Sequence, residues 1–439
     1  MKKPNVLVIM CDDLGYGDLS CMGSETVYTP HIDALAEEGV LFRSLYCSSP
    51  VCSPSRATLL TGRHPAHTGV RAILPGARSS RGMTPDVPSM PSVFHDAGYQ
   101  TYFCGKWHLG VAEQSRPHWH GFDHWYGFLA GCLDYYSHIF YYGMTDGKLN
   151  PTHDLWRDNE EIYENGSYLT ERITEESISA IRRARESDKP FFLYTAYNAP
   201  HYPMHAPEKY VSRFAHLPWD KRMMAAMISA MDDGVGEILN ELRVHGELEN
   251  TIVYFQSDNG PSSESRNFMD GSVDPYYGGS AGALRGYKFS LFEGGIRVPA
   301  IIRYPAALKK GLVCEEPVMA MDIAPTLYDI AGVEAPAGMD GENMRSVMEG
   351  KAAPEARLLF WELEMQTAVR RGDWKLILNP VEDGARRVVA ERFLAHITED
   401  ISEQQNLCGE YPALADELEA LARNWRAGID DYWNEHYAQ

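Results

Sequence analysis

Two stretches of this sequence end an apolar run in hard oxygen donors. "VIMCDDLGYGD" places Asp12 and Asp13 directly after a β-branched-rich run, and "NTIVYFQSDNG" ends the same way in Asp258 and Asn259. A single Asp-Asp pair reads equally as a solvated turn with Asp12 capping a helix. Two such endings say more, because ligands of open α/β sheets collect beyond the carboxyl ends of strands. Three carboxylates and an amide oxygen there suit Ca²⁺ or Mg²⁺. Cationic groups recur in comparable places. "YFCGKWHLG" ends in the region of Lys106 and His108, "FFLYTAYNAPHYP" carries His201, and "GALRGYKFSLFEGG" sets Lys288 in a glycine-rich loop. Taken singly, each is a solvated lysine or a satisfied histidine. Brought together with Arg56 and a metal, they would form a pocket for a tetrahedral oxyanion that redistributes charge during transfer. A further stretch, "CSPSRATLLTGR" (52–63), puts Cys52 two residues before a proline and four before Arg56, at the mouth of a helix. A small buried core residue is the bland reading of this cysteine. Zinc held by Cys52 and His108 is a competing one.

These residues can meet only if strands deliver them to one edge. "NVLVIM" reads as a central strand bounded by turns. "TPHIDALAEEGVLF" follows as a proline-led helix with a glycine at its end. "SPSRATLLTGR" is a second helix, and "PSVFHDAGYQTYFCGKWHLG" a helix and then a strand. The stretches 167–197 and 219–260 each repeat a long helix followed by an apolar strand. This alternation predicts an α/β sandwich around a large, mostly parallel or mixed sheet. The rhythm stops at "YDIAGVEAPAGMDG". Beyond it lie "AVRRGDWKLILN", two strand-like runs around a turn, and a terminal helix near "ALADELEALARNW". We therefore divide the chain into residues 1–335, carrying the chemistry, and a smaller α+β subdomain at 336–439. Residues 112–167, rich in Trp, Tyr, His and Gly, have weak periodicity and are expected to be long loops. Their aromatic rings would either stack on a sugar or aryl ring or pack the subdomains together.

Composition narrows the partners. With 44% hydrophobic and 23% charged residues, the 439-residue chain is a folded globule and not a disordered one. A formal charge of −21 repels nucleic acid and anionic membrane, so an anionic substrate needs locally concentrated positive charge. No stretch has the length of a membrane helix, and the opening apolar run ends in two aspartates without a cleavage site. As given, the chain is expected in the cytoplasm, or exported if a leader precedes it. The eight cysteines follow no framework spacing and are expected to be mostly reduced.

"CSPSRATLLTGR" resembles the activation sequence of the formylglycine-dependent (type I) sulfatases, in their arylsulfatase-like branch: a Cys-x-Pro-x-Arg core followed by Leu-x-x-Gly-Arg. The resemblance runs from "NVLVIMCDDLGYGD" through "GGIRVPAIIRYP" to "AVRRGDWKLIL". It implies the alkaline-phosphatase-like fold with a small antiparallel sheet in the C-terminal subdomain. It also implies that Cys52 is converted to formylglycine by a formylglycine-generating enzyme. By the same resemblance, Asp12, Asp13, Asp258 and Asn259 hold the metal, which it tips toward Ca²⁺ over Mg²⁺. Arg56 holds the hydrated aldehyde, Lys106 and Lys288 contact sulfate, and His108 and His201 flank nucleophile and leaving group. The implied reaction is hydrolysis of a sulfate monoester of a sulfated saccharide or an aryl alcohol. Phosphonate or phosphate ester hydrolysis on the same fold is the alternative. A binding protein with a vestigial site is the non-enzymatic one, which the complete polar set disfavours.

Overall fold

In the computed structural model, described for residues 3–140, 151–263, 278–351 and 357–438 and for the backbone of 144–145 and 148–149, the first apolar run is a central strand. This strand, β1 (Asn5–Cys11), is buried on both faces. Its alternation splits it between two cores: Val6, Val8 and Met10 face one, Leu7, Ile9 and Cys11 the other. The remaining strands of the main sheet are β2 (Val40–Phe42), β3 (Gln100–Lys106), β4 (His124–Phe128), β5 (Trp156–Arg157), β6 (Glu160–Glu161), β7 (Phe191–Ala196), β8 (Thr251–Ser257), β9 (Ala300–Arg303) and β10 (Leu312–Cys314). They lie in the order β6-β5-β4-β3-β7-β1-β8-β9-β2-β10. The five strands from β4 to β8 run parallel, so their carboxyl ends share one edge. β9 runs antiparallel to both β8 and β2, which makes the sheet mixed.

Helices cover both faces. On one lie α1 (Pro30–Glu38), α4 (Leu169–Ala184) and α5 (Trp219–Val244); on the other lie α2 (Cys52–Thr61), α3 (Met90–Asp96) and α6 (Ile323–Ala331). In α4, Leu169, Ile173, Ser177 and Ala180 with Ile181 and Ala184 form a buried stripe at helical spacing. This is the alkaline-phosphatase-like α/β sandwich.

One expectation fails in the aromatic region. "HWYGF" was expected to lie in a long loop but is β4, inside the main sheet, and β5 and β6 extend the sheet beyond it. Gly127 interrupts the apolar pattern because its backbone must touch that of β3: a Cβ there would lie 1.9 Å from the Gly105 carbonyl oxygen. Close backbone approach hid the strand. Its Trp125, Tyr126 and Phe128 are buried core residues. Tyr141, Tyr142 and Gly143 of the same region lie outside the described residues.

The chain ends in a four-stranded antiparallel sheet, β11 (Leu358–Leu363), β12 (Gln366–Arg371), β13 (Trp374–Leu378) and β14 (Arg392–His396), followed by α7 (Pro412–His436). Alternation again assigns the faces. Ala368, Ile377, Phe393 and Ala395 join the main core, while Val369, Leu376 and Leu394 pack under α7 with Ala415, Leu418 and Ala422.

Buried charge also fastens this sheet to the sandwich. The Lys375 ammonium on β13 donates to Glu293 at 2.8 Å and to Glu403 at 3.2 Å, and all three side chains are fully buried. Burial pushes the Glu403 carboxyl up to about 7, with Lys375 opposing and Glu293 adding to the rise. Burial also works against ionised Glu293, but Lys375, Arg297 and Arg370 outweigh it and hold that carboxyl at about 2. Glu403 is therefore raised above its unfolded value. Its contribution to stability is complete below the unfolded pKa and is lost as pH rises through about 7. Between pH 5 and 7.5 we expect stability to fall with a slope of up to about 1.4 kcal/mol per pH unit from this one proton. Glu403→Gln should flatten that slope. Urea titrations of both proteins across this range test it, and equal slopes would remove Glu403 as the source.

Candidate active site

The carboxyl edge of the parallel strands gathers the polar residues. Asp12 and Asp13 follow β1 directly, and Asp258 and Asn259 follow its neighbour β8. Lys106 is the last residue of β3 with His108 two residues on, and His201 lies five residues past β7. Cys52 and Arg56 belong to the first turns of α2, and Lys288 comes from the loop before β9. Every one of these side chains is buried.

Arg56 lies at the centre. Its Nε and Nη2 donate to Asp258 Oδ2 at 3.0 and 2.8 Å, its Nη1 donates to the Lys106 carbonyl at 3.1 Å, and Nη2 lies 3.4 Å from Asp12 Oδ1. The guanidinium thus clamps the ends of β1, β3 and β8 together. Ser55, one residue earlier, donates to the Asp258 carbonyl at 2.5 Å. Lys106 Nζ meets Asp12 Oδ2 at 2.5 Å, and Lys288 Nζ meets Asp13 at 3.0 Å. Three carboxylates and three cations sum to zero formal charge. A divalent ion would leave two positive charges, matched to a sulfate ester anion and an ionised nucleophile.

The donor set fits such an ion. Asp12, Asp13, Cys52 and His201 each bring a ligand atom within 4.8 Å of the others. Asn259 donates its amide to Asp13 Oδ1 at 2.7 Å, and its Oδ1, like Asp12 Oδ1, is buried without a hydrogen-bond partner. Buried oxygens in that condition are costly unless something satisfies them. His108 does not belong to this cluster, and neither does Asp258, whose Oδ2 accepts from Arg56 and whose Oδ1 accepts from the Asp13 amide. The zinc pairing of His108 with Cys52 therefore gains no support among the described residues.

Charge crowding separates the ionisations. Burial raises the Asp13 carboxyl to about 7, opposed by Lys288 and reinforced by Asp12 and Asp258. For Asp12 the penalty of burial is overcome by Lys106 and Arg56, so its carboxyl stays below the usual range. Burial also drives the Cys52 thiol up to about 12 despite two lysines. At neutral pH it is a protonated thiol, a poor nucleophile as encoded.

The two histidines are held in opposite senses. His108 Nε2 lies 3.1 Å from the Leu74 carbonyl, which can only accept, so Nε2 carries hydrogen and Nδ1 is left as the basic nitrogen. Nδ1 is buried without a partner, and burial with Lys106 nearby pushes the imidazole well below its ordinary pKa. His108 is thus neutral. His201 Nδ1 lies 2.7 Å from the Tyr202 carbonyl, which turns Nε2 toward Asp13 Oδ2 at 3.6 Å.

Two supports escaped the sequence reading. The Tyr135 hydroxyl lies 2.8 and 2.7 Å from the carbonyls of Asn198 and His201, fixing the His201 loop. "DYYSH" offers no local signal that singles out the first tyrosine. Gly131 underlies the His108 ring: a Cβ there would lie 2.6 Å from its Cε1 and Nε2. A glycine in an aromatic loop was the available hint.

These groups define a hydrolase for esters of a tetrahedral oxyanion, built at the strand ends of an α/β sandwich. Residues 4–333 match the family model Sulfatase. Arylsulfatase J of Mus musculus is 30% identical over 464 residues, covering 95% of this chain and 74% of that protein. N-acetylgalactosamine-6-sulfatase of Canis lupus familiaris is 33% identical over 394 residues, covering 85% and 71%. The crystal structure of Ps i-CgsB in complex with k-i-k-neocarrahexaose superimposes with a TM-score of 0.86 at 29% identity, over 99% of this chain and 94% of that one. The chain belongs to the sulfatase family. It is a sulfuric ester hydrolase, cleaving sulfate monoesters at a formylglycine-type active site.

Gly131→Ala tests the seat of His108. The added methyl overlaps the ring, so kcat should fall roughly 10- to 100-fold through misplacement of about an ångström. A wild-type kcat would mean that the ring has room to yield.

Proposed function

We propose that the substrate is a sulfated saccharide, with Cys52, matured to formylglycine by a formylglycine-generating enzyme, as the nucleophilic position. The observation that carries this reading is Cys52 itself. Its thiol lies at the start of α2, grouped with Asp12, Asp13 and His201, with Lys106 and Lys288 close enough to act on its ionisation. Saccharides are favoured because the relatives above include an N-acetylgalactosamine-6-sulfatase and a structure holding a neocarrahexaose. We further propose that residues 1–335 form the catalytic domain and 336–439 a supporting subdomain. The antiparallel sheet at 358–396 favours that division.

An aldehyde hydrate at position 52 would supply an attacking hydroxyl, and a second hydroxyl whose loss of a proton lets sulfate depart by C–O cleavage. Asp12, Asp13, Asp258 and Asn259 would hold the metal, and calcium suits their all-oxygen set. Such an ion would supply Lewis-acid charge beside the nucleophile. Lys106 and Lys288 bind the sulfuryl oxygens and orient them for in-line displacement. His201 donates a proton from Nε2 to the leaving alcohol. His108, neutral and with a bare Nδ1, takes the proton from the remaining hydroxyl. Arg56 has four contacts with the strand ends and acts first by fixing Asp258 and Asp12. Its hydrogen bond to the hydrate is the additional role that we assign it.

Parallel assays of matured protein on matched sulfate, phosphate and phosphonate monoesters, including sulfated sugars, test the substrate class. A sulfate should give the highest kcat/KM, and a phosphorus ester exceeding every sulfate would overturn the reading. A low rate on a simple aryl sulfate would not, because remote sugar contacts can be spent on the transition state.

His201→Ala should depress kcat by about 10²- to 10⁴-fold for alkyl or sugar sulfates and far less for nitrophenolate-like leaving groups. A uniform loss across leaving groups would remove His201 from the general-acid role.

A further inference from the structure

The residue after Lys288 is strained. Phe289 has φ 76°, in the left-handed region, which is unfavourable for a bulky side chain. Such a conformation persists only when its surroundings enforce it, and here they do so from two sides. The Phe289 amide donates to the Pro50 carbonyl at 3.0 Å, two residues before Cys52. Its carbonyl accepts from Gln366 Nε2 at 2.7 Å. Gln366 opens β12 of the C-terminal sheet and is 3% exposed. Its Oε1 accepts from the amides of Leu291 and Val381, both at 3.2 Å. One side-chain amide therefore grips the Lys288 loop at two points and ties it to the segment after β13. Neighbouring bonds run the same way, from the Tyr287 amide to the Glu382 carbonyl at 3.0 Å and from Ser290 Oγ to the Val381 carbonyl at 2.6 Å. The Phe289 ring is clamped between Val51, next to Cys52, and Leu363 of β11.

We propose that Gln366 is a positioning residue for Lys288. By holding Phe289 in the left-handed conformation, it aims the ammonium at the sulfuryl group. The proposal rests on the reading of Lys288 as a sulfate-contacting residue. Turning the loop toward the more common extended backbone would swing Lys288 away from Asp13 without moving the strand ends. All three side-chain bonds of Gln366 go to backbone groups. Its effect passes through the backbone that follows Lys288, at Phe289 and Leu291.

A double-mutant cycle tests this on the full, matured chain. Gln366→Met keeps the volume and deletes all three bonds, and we expect kcat for an aryl sulfate to fall about 10- to 100-fold. Lys288→Ala alone should cost at least about 100-fold. In the Lys288→Ala background, Gln366→Met should then cost less than about threefold, because the group it positions is gone. Formylglycine content by mass spectrometry and the thermal midpoint are measured alongside, so that losses are compared between matured, folded proteins. If Gln366→Met does not fold, Gln366→Glu goes through the same cycle, since its carboxylate keeps both acceptor contacts and replaces the donation to Phe289 by an oxygen set against that carbonyl. Equal penalties in the two backgrounds would make Gln366 merely structural and overturn the proposal. Full activity of Lys288→Ala would overturn the reading of Lys288 beneath it, which is a separate outcome.

Discussion

Three carboxylates buried at the ends of two adjacent strands set the terms for the rest of this molecule. Asp12, Asp13 and Asp258 are each almost inaccessible. An ion taken out of water costs several kcal/mol unless opposite charge and hydrogen bonds meet it. Cations therefore have to be imported from other parts of the chain. Lys106 comes from the end of β3, Arg56 from α2 on one face of the sheet, and Lys288 from a loop more than 270 residues after Asp13. Arg56 carries most of this burden, since its fixed fork reaches two aspartates and a strand-end carbonyl at once. Stability and chemistry draw on the same charges. A site balanced without metal would become positive with a divalent ion, giving a chain of formal charge −21 the local positive charge that an anionic ester requires.

Sheet topology makes the convergence possible. β3, β7, β1 and β8 are consecutive neighbours and all run parallel, so the residues that follow them emerge along one edge. Little freedom remains in how they emerge. Asp13 and His108 both adopt positive φ, at 64° and 54°, turning the chain sharply as it leaves its strand. Such conformations are unfavourable locally and survive where the surrounding packing over-determines them. Asp13 is pinned by its amide bond to Asp258 Oδ1 at 3.1 Å, and His108 by the Leu74 carbonyl and the bare backbone of Gly131.

The C-terminal sheet extends the same logic. One face completes the main core and the other receives α7, so it is part of the sandwich's packing as well as a separate layer. Its edge toward the site is polar and fully engaged. Gln366, Val381 and Glu382 hold the loop that carries Lys288, while Lys375 and Glu403 hold Glu293 just after it. A sulfate-binding lysine in the proposed site thus takes its orientation from residues that follow it by some 80 to 115 positions. Truncating the end of the chain would reach the chemistry through this loop.

Much of what gathers at the strand ends was legible in the sequence alone. Hard oxygen donors and cations recur at the ends of apolar runs, and parallel strands bring such ends together as a matter of geometry. "CSPSRATLLTGR" marked Cys52 through its resemblance to the sulfatase activation sequence, whereas its spacing alone left a small buried core cysteine equally open. The strand at 124–128 was not legible. Its glycine serves backbone contact with a strand that is distant in sequence, and apolar periodicity cannot register such a contact. Arg56 illustrates the division. Its type and its spacing from Cys52 were plain in the sequence, but its grip on Asp258 was not, since that pairing spans 202 residues. Residue types and their places along strands are local properties, and the sequence by itself determined them. Which carboxylate meets which cation, which nitrogen of each histidine stays basic, and which distant glutamine holds a lysine's backbone depend on long-range packing, and only the tertiary structure decided them.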